Sequence, residues 1–328
     1  MKEGFEVVVI GRACVDHLCV VEHYPEEDAK VPMSMRLVEG GGQGATAACC
    51  AARLGGHVAY VGCLGDDKEG LFCMKRLHDF CVDTSQVKVI PGGRTPYAYV
   101  LITATNGKRT IVYEPGTLPA IELDNALLGL LNRAGSILLG PQATNLARPL
   151  SDVPDLPPIV YDCERDRSGL EDMMALVDYF IPHYGFLDTS TLHVSGSSKH
   201  ERILSLAGMV TGRLIVTDGK RGAYYLDGES LIRVPPPKVL ARDTTGAGDN
   251  FHGAFALAIS RGFDLYDRSF RDLLAGELQQ IDNIGIISLW PVRPHGCLRG
   301  TRGPSGLLPG SYRDARSCAG AAVISYRE

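Results

Sequence analysis

The chain has 328 residues, a formal net charge of −5 at pH 7 and an apolar content of 45%. The net negative charge argues against a nucleic-acid partner, and no run approaches the ~20 apolar residues of a membrane span. The length suits one large α/β domain, alone or with a small accessory piece. The ten cysteines form no C-x-x-C pair and the amino end carries no secretion signal, so a cytoplasmic protein is expected.

Strand and helix patterns alternate through the first eighty residues. The β-branched run FEVVVIG at 5–11 predicts a buried parallel strand, and GATAACCAARLGG at 44–56 predicts a helix that ends at glycine. The run HVAYVGCLG at 57–65 predicts the next strand, and DKEGLFCMKRLHDFC at 67–81 predicts the next helix. Such alternation is typical of a parallel sheet covered by helices.

Two β-rich stretches interrupt this alternation, at 17–25 and at 96–116. The second contains Asn106 and Gly107, which predict a two-residue hairpin turn. We interpret both stretches as a small antiparallel sheet that covers a cleft as a lid, although an ordinary surface hairpin would leave the same pattern. The predicted organisation is a main α/β domain over 1–16, 40–95 and 117–284 and a β lid over 17–39 and 96–116.

The alternation resumes in the second half, with strands predicted at 136–140, 157–162, 178–182 and 213–219. From residue 285 the composition changes: the last 44 residues hold six arginines, seven glycines, four prolines and no lysine. One hypothesis is that a frameshift near residue 280 replaced the native carboxyl end, and the alternative is a divergent terminus. The segment 285–328 is therefore set apart as an atypical tail.

The stretch DTTGAGDNFHGAF at 243–255 carries the strongest chemical signal. Gly246, Ala247 and Gly248 precede a run that predicts a helix, so their main-chain N–H groups converge at the positive end of a helix dipole and form an anion hole. Asp249 follows directly, either as a cap of the helix or as a base for a substrate hydroxyl. Phosphoryl transfer requires both a base and preorganised donors, which favours the base.

This stretch strongly resembles the carboxyl-terminal signature of the ribokinase-type sugar kinases, the PfkB family. Three further matches follow the family's order: GRACVDHL at 11–18, GGGQGATAACCAARLGG at 40–56 and the nucleotide loop TDGKRGAYY at 217–225. The resemblance implies a ribokinase-like α/β fold, a three-layer sandwich with a mostly parallel central sheet and a small β-sheet lid. It also implies ATP-dependent phosphorylation of a sugar at a primary hydroxyl.

The resemblance assigns roles to single residues. Asp249 corresponds to the catalytic base, and Gly246, Ala247 and Gly248 correspond to the anion hole. The residues matched to sugar contacts are Asp16, Gly41, Gly42 and Thr46. The residues matched to the ATP-phosphate loop are Thr217, Gly219 and Gly222. Asp243 corresponds to a monovalent-cation loop, which implies K⁺ in addition to ATP and Mg²⁺.

Two further features concern the substrate and the assembly. Thr46 stands where the family most often has asparagine, and members that resemble sulfofructose kinase carry threonine there, so the chain is similar to these and to ketohexokinase-like members. Arg109 and Tyr113 on the second lid strand either face the sugar cleft or are simply exposed. Many family members dimerise through the lid, which implies a homodimer.

The chain departs from the family at two places. The glutamate of an Asn-x-x-Glu motif that organises magnesium is absent, and His183 falls about where it would be. The tail also lacks the Ala-rich helix and Gly-rich loop that form the adenine pocket. The alternatives are therefore a non-catalytic sugar- or nucleotide-binding member and a nucleoside kinase of the same fold. A dinucleotide-dependent oxidoreductase is disfavoured because no G-x-G-x-x-G follows the first strand.

Overall fold

The computed structural model describes residues 4–236 and 246–263. The strands of this part are β1 Val7–Ile10, β2 Cys14–Val21, β3 Met35–Gly41, β4 Val58–Val61, β5 Cys63–Gly65, β6 Lys88–Ile90, β7 Tyr97–Thr103, β8 Arg109–Glu114, β9 Ser136–Leu139, β10 Ile159–Cys163, β11 Tyr179–Pro182, β12 Arg213–Thr217, β13 Ala223–Asp227 and β14 Ser230–Val234. The α-helices are α1 Gln43–Arg53, α2 Lys68–Asp79, α3 Asn125–Leu131, α4 Ala147–Ser151, α5 Leu170–Leu176, α6 Phe186–Thr189, α7 Lys199–Ala207 and α8 Ala247–Ser260. None of these helices has the length and apolar content that a bilayer crossing requires.

The main sheet has eight strands in the order β14-β13-β12-β11-β10-β9-β1-β4. From β4 to β12 all neighbouring strands run parallel, and β13 and β14 add an antiparallel edge. The carboxyl ends of the parallel strands therefore meet along one edge, where ligands of open α/β sheets bind. The prediction of a mostly parallel central sheet is confirmed.

Helices cover both faces of this sheet. Successive side chains of a strand point to opposite sides, so an apolar strand places side chains on both faces that must be buried. In β1, Val7 and Val9 belong to a core shared with α1, α2 and α8. Val8 and Ile10 belong to a second core shared with α3, α4, α5 and α7. All four side chains are buried, and the two cores give the three layers that the sequence predicts.

The remaining long strands form a separate sheet, which we call the lid sheet, in the order β3-β2-β7-β8. The outer pairs are antiparallel, as predicted, but the central pair β2 and β7 is parallel. A parallel pair needs a long crossover, and here the chain passes through α1, β4 and α2 before it returns as β7. The prediction of an entirely antiparallel lid is therefore wrong. The lid sheet begins at Cys14, so Asp16 lies on a lid strand.

Two local predictions are also corrected. The run 57–65 is two strands, because β4 pairs with β1 in the main sheet and β5 pairs with β6 in a small sheet of its own. The continuous apolar composition hides this bend. The lid hairpin has four turn residues rather than two, since the Thr103 N–H donates to the Lys108 carbonyl at 2.9 Å. The Asn106 side chain accepts a bond from the Lys108 N–H, which holds the wider turn.

Candidate active site

The first turn of α8 is open toward solvent. Gly246 caps the helix in the left-handed region, at φ 73°, without a side-chain hydrogen bond to the helix. Ala247 and Gly248 are exposed, and their N–H groups have no acceptor among the residues that the structure describes. No described atom lies within 4 Å of the position that a β-carbon on Gly248 would take. The N–H groups of the predicted anion hole therefore have no described acceptor and lie beside a position that no described atom occupies.

Asp249 lies in this first turn and is half-buried. Because the capping position belongs to Gly246, the carboxylate of Asp249 is not the N-cap of α8. A carboxylate in the first turn can still stabilise the helix through its dipole, so the structural and the catalytic role of Asp249 are separated by the measurements described in the Discussion.

A second glycine turn faces the first from the lid side. Gly41 ends β3 beside Asp16 of β2, and a β-carbon on Gly41 would lie 2.1 Å from Oδ2 of Asp16, so only glycine leaves room for this carboxylate. Gly42 caps α1 at φ 88°. Thr46, in the first turn of α1, places its methyl group 3.3 Å from where a β-carbon of Gly246 would lie. The structure thus brings the sugar-site and anion-hole candidates together.

Sequence analysis missed two members of this site, Asp162 and His252. Asp162 lies near the carboxyl end of β10, and His252 lies one turn beyond Asp249 on α8; both are buried. One ligand atom from each of Asp162, Asp249 and His252 lies within 4.8 Å of the others, and Nδ1 of His252 is 3.6 Å from Oδ1 of Asp162. The sequence did contain a signal for Asp162, because an acid near the carboxyl end of a buried parallel strand lies at the sheet edge where ligands bind.

These groups shift one another's protonation. Burial raises the pKa of Asp249, and the carboxylates of Asp162 and Asp16 raise it further against the opposing effect of His252. Burial also raises the pKa of Asp162, with a contribution from Glu164. Burial lowers the pKa of His252 to about 4, so its imidazole is neutral at neutral pH and does not compensate the two carboxylates. Clustered groups with perturbed pKa values are characteristic of functional sites.

Replacing Asp162 with asparagine is expected to move the acid limb of the kcat/KM profile to lower pH, because it removes a charge that raises the pKa of Asp249. It is also expected to stabilise the fold. A carboxyl whose pKa is raised by folding favours the native state below its unfolded pKa and loses that contribution as pH rises through the folded value. Above the raised pKa, the free energy of unfolding of the asparagine variant is therefore expected to exceed that of wild type by about 1 kcal/mol. Near pH 4 the two proteins should be equally stable.

Thermal unfolding and kinetics across pH 4–9 measure both effects. The control is Asp227→Asn, since Asp227 is exposed and ends the antiparallel strand β13 at the sheet edge opposite the cluster. An unchanged acid limb together with unchanged stability at pH 8 in Asp162→Asn would contradict the coupling of Asp162 to Asp249.

The candidate nucleotide loop lies at the end of β12, on the same sheet edge. Thr217 ends this strand, and Gly219 and Gly222 both have positive φ, at 50° and 89°. The turn is held by Asp218, whose carboxylate accepts bonds from Arg221 at 2.7 Å and from Lys199 at 2.6 Å. These ion pairs fix the loop and leave its glycines exposed or half-buried beside solvent.

The other predicted residues lie farther from Asp249 or outside the described part. Tyr113 pairs with Ala98, which pairs with Asp16, so Tyr113 lies in the same row of the lid sheet as Asp16. Arg109 is four residues away along β8, about 13 Å, and is exposed. His183 follows β11, and its Nε2 lies 3.1 Å from the Glu164 carbonyl oxygen. Asp243 and the tail 285–328 lie outside the described residues.

The donor set near Asp249 bears on magnesium. Mg²⁺ prefers oxygen ligands and keeps several waters, and the Asp162 carboxylate offers such oxygens close to Asp249. His183, near the position of the missing glutamate, offers nitrogen rather than oxygen. The carboxylate of Asp162 is therefore the described group that would hold a magnesium ion.

The main sheet with its two helix layers and the separate lid sheet define a ribokinase-like α/β fold. The family of the chain follows from its sequence. The pfkB family carbohydrate kinase model matches residues 5–270. The chain therefore belongs to the pfkB family of carbohydrate kinases, and the predicted enzyme class is confirmed.

Individual proteins agree with this assignment. The chain is 27% identical over 270 residues to a ribokinase of Lactococcus lactis, covering 80% of this chain and 86% of that protein. It is 24% identical over 282 residues to a nucleoside kinase of Methanothermobacter thermautotrophicus, covering 81% and 86%. The solved structure of Arabidopsis thaliana ribokinase complexed with ribose and ATP shares the fold, with a TM-score of 0.67, 22% identity and coverage of 85% and 92%.

Proposed function

We propose that this protein transfers the γ-phosphoryl group of ATP to a primary hydroxyl of a sugar, with Asp249 as the general base. The observation that carries the proposal is the arrangement at the start of α8: a half-buried carboxylate beside free N–H groups and empty space. Asp16 faces this point from the lid sheet, close enough to affect the pKa of Asp249. A cleft between two such carboxylates suits a polyhydroxyl acceptor.

In the proposed reaction, Asp249 accepts the proton of the acceptor hydroxyl as that oxygen bonds to the γ-phosphorus. The bond from the γ-phosphorus to the bridging oxygen of ATP breaks, and ADP leaves. The N–H groups of Ala247 and Gly248 donate to the oxygens of the migrating group, where negative charge increases. Its raised pKa makes Asp249, once ionised, a stronger base than an exposed aspartate.

The nucleotide and cation roles follow from the same sheet edge. We infer that Thr217, Gly219 and Gly222 contact the ATP phosphates, since glycine lets main-chain N–H groups approach an anion closely. Bound Mg²⁺ supplies neutralisation of phosphate charge. The assignment of K⁺ to Asp243 stays a prediction.

Two inferences concern the protein's state. The edge strand β8 exposes three apolar side chains, those of Ile111, Val112 and Tyr113, by 48%, 68% and 59%. An apolar edge strand of this kind suits pairing with a second copy, which supports a homodimer through the lid. No described cysteine forms a disulfide, and this and ATP as the phosphate donor both fit a reducing, cytoplasmic location.

Coupled ADP release over a panel of sugars and nucleosides, with Mg²⁺ and K⁺ present, tests the proposed function. We expect release that depends on a sugar acceptor and is lost without Mg²⁺. Release only with nucleosides would favour the second candidate, a nucleoside kinase, which the similarity to the Methanothermobacter enzyme supports. Sugar-induced thermal stabilisation without any ADP release would instead indicate a non-catalytic binding protein and contradict the proposal.

A further inference from the structure

A cavity of about 100 Å³, open to solvent, lies beside the candidate active site. It is bounded by the ends of β1 and β9, by the segment 118–121 and by Pro96 at the start of the lid strand β7. Its wall is mostly apolar, with two side-chain amides, from Gln142 and Asn145, and one formal charge, from Arg12. A concave surface with a single uncompensated charge favours a ligand of opposite charge.

The guanidinium of Arg12 has no partner among the residues that the structure describes. Arg12 makes no hydrogen bond or ion pair with any residue of 4–236 or 246–263. Its main chain is covered, because the carbonyl accepts a bond from the Ala45 N–H at 3.2 Å and lies against Gly42. The exposed surface of Arg12 therefore belongs to its side chain. The main chain is held in place while the charge remains free for a ligand.

A buried acceptor lies next to this charge. Nε2 of Gln142 donates to Oε1 of Gln43 at 3.2 Å, but Oε1 of Gln142 is buried and has no hydrogen-bond partner within 4–236 and 246–263. An unsatisfied buried acceptor costs free energy unless a donor reaches it. Asn145 does not supply one, since its Nδ2 donates to the Ile121 carbonyl at 2.8 Å. A hydroxyl of a bound ligand would satisfy Gln142.

The cavity adjoins the proposed acceptor site. Gln142 on its wall bonds Gln43, the first residue of α1, and the carbonyl of Arg12 lies against Gly42, which caps α1 next to Gly41 and the Asp16 carboxylate. Arg12 and Asp16 are four residues apart, at most about 14 Å along an extended chain. A linear five- or six-carbon acceptor with one end at Asp16 and Asp249 would therefore direct its other end toward Arg12.

We propose that the acceptor is a sugar acid, a polyhydroxy carboxylate whose anionic end pairs with Arg12 and whose hydroxyl donates to Gln142. The proposal rests on the proposed function, because it assigns a substrate class to the same site. An arginine matches a carboxylate with two parallel hydrogen bonds. The other end of the acceptor lies near three carboxylates, those of Asp16, Asp162 and Asp249. These would repel the carboxylate of an acceptor bound in the reversed orientation.

Binding and turnover of matched acid and neutral pairs test this. The pairs are aldonates and alditols with five and six carbons, and ketoaldonates with the ketoses of equal length. Calorimetric Kd values and kcat/KM are measured for wild type, Arg12→Met and Arg12→Lys. Wild type is expected to favour at least one acid over its neutral partner, and Arg12→Met to weaken that acid about 10- to 100-fold. Arg12→Lys should recover part of the preference.

The control is Arg148→Met, since Arg148 is an exposed arginine on α4 with a surface ion pair to Asp172. This variant should leave the ratio of acid to neutral partner unchanged, both in Kd and in kcat/KM. Equal binding of acids and neutral partners by wild type would overturn the inference, as would equal loss of both in Arg12→Met. If neutral sugars are turned over at the same rate by wild type and by Arg12→Met, the inference is rejected and the proposed function is retained. Acid binding that depends on Arg12, without turnover of any compound, supports the inference and rejects the function.

Discussion

Replacing Asp249 with asparagine is expected to lower kcat by about 10²- to 10⁴-fold, the usual contribution of a general base. The side chain keeps its shape but no longer accepts the proton of the acceptor hydroxyl. The fold should be retained or become more stable, because the variant removes one of two buried, mutually repelling carboxylates. Steady-state kinetics and thermal unfolding of the same preparation separate the two effects.

The stability measurement decides between the two roles of Asp249. Loss of a helix cap costs about 0.5–2 kcal/mol, whereas Gly246 already occupies the capping position of α8. A variant that unfolds earlier but turns over normally would make Asp249 a structural residue. Asp227→Asn, which changes an exposed aspartate at the end of β13, should change neither quantity and serves as the control.

Replacing Gly253 with alanine is expected to destabilise the protein by about 1–3 kcal/mol, the range for overpacking a close contact. A β-carbon on Gly253 would lie 2.2 Å from the main-chain oxygen of Ala47, and main-chain atoms cannot rotate away. Helices α1 and α8 must therefore separate. Because α1 carries Thr46 and α8 carries Asp249, the separation should also reduce kcat/KM, up to about 10²-fold for a shift near 1 Å.

Gly129→Ala is the matched control for this substitution. Gly129 is an exposed glycine inside α3, and no described atom lies within 4 Å of the position of a new β-carbon. Alanine is the better helix former, so this variant should gain about 0.5–1 kcal/mol with unchanged kinetics. Chemical denaturation and steady-state kinetics of both variants provide the comparison. Equal stability of the two variants would show that α1 and α8 tolerate separation.

The sequence predicts the main fold well because its signals are local. The buried parallel strands contain continuous apolar runs, as in β1, and the glycine turns before α1 and α8 mark helix starts directly. The lid strands are also visible as β-rich stretches. These features depend on neighbouring residues, so composition and periodicity are sufficient to locate them.

What the sequence does not predict depends on contacts between distant segments. The parallel pairing of β2 with β7 joins strands that are separated by α1, β4 and α2. Asp162 and His252 meet only because β10 and α8 pack at the same sheet edge. That the guanidinium of Arg12 has no carboxylate partner among the described residues follows only from the positions of residues distant in sequence. Side-chain neighbours of this kind follow from tertiary packing and leave no local pattern.

The most direct test of the central claim is ³¹P nuclear magnetic resonance of the reaction products of wild type and Asp249→Asn with ATP, Mg²⁺ and the best acceptor from the panel. The account predicts that wild type forms ADP and one primary phosphate ester in equal amounts, and that Asp249→Asn forms neither at a comparable rate. Inorganic phosphate without an ester, or equal ester formation by the variant, would contradict it.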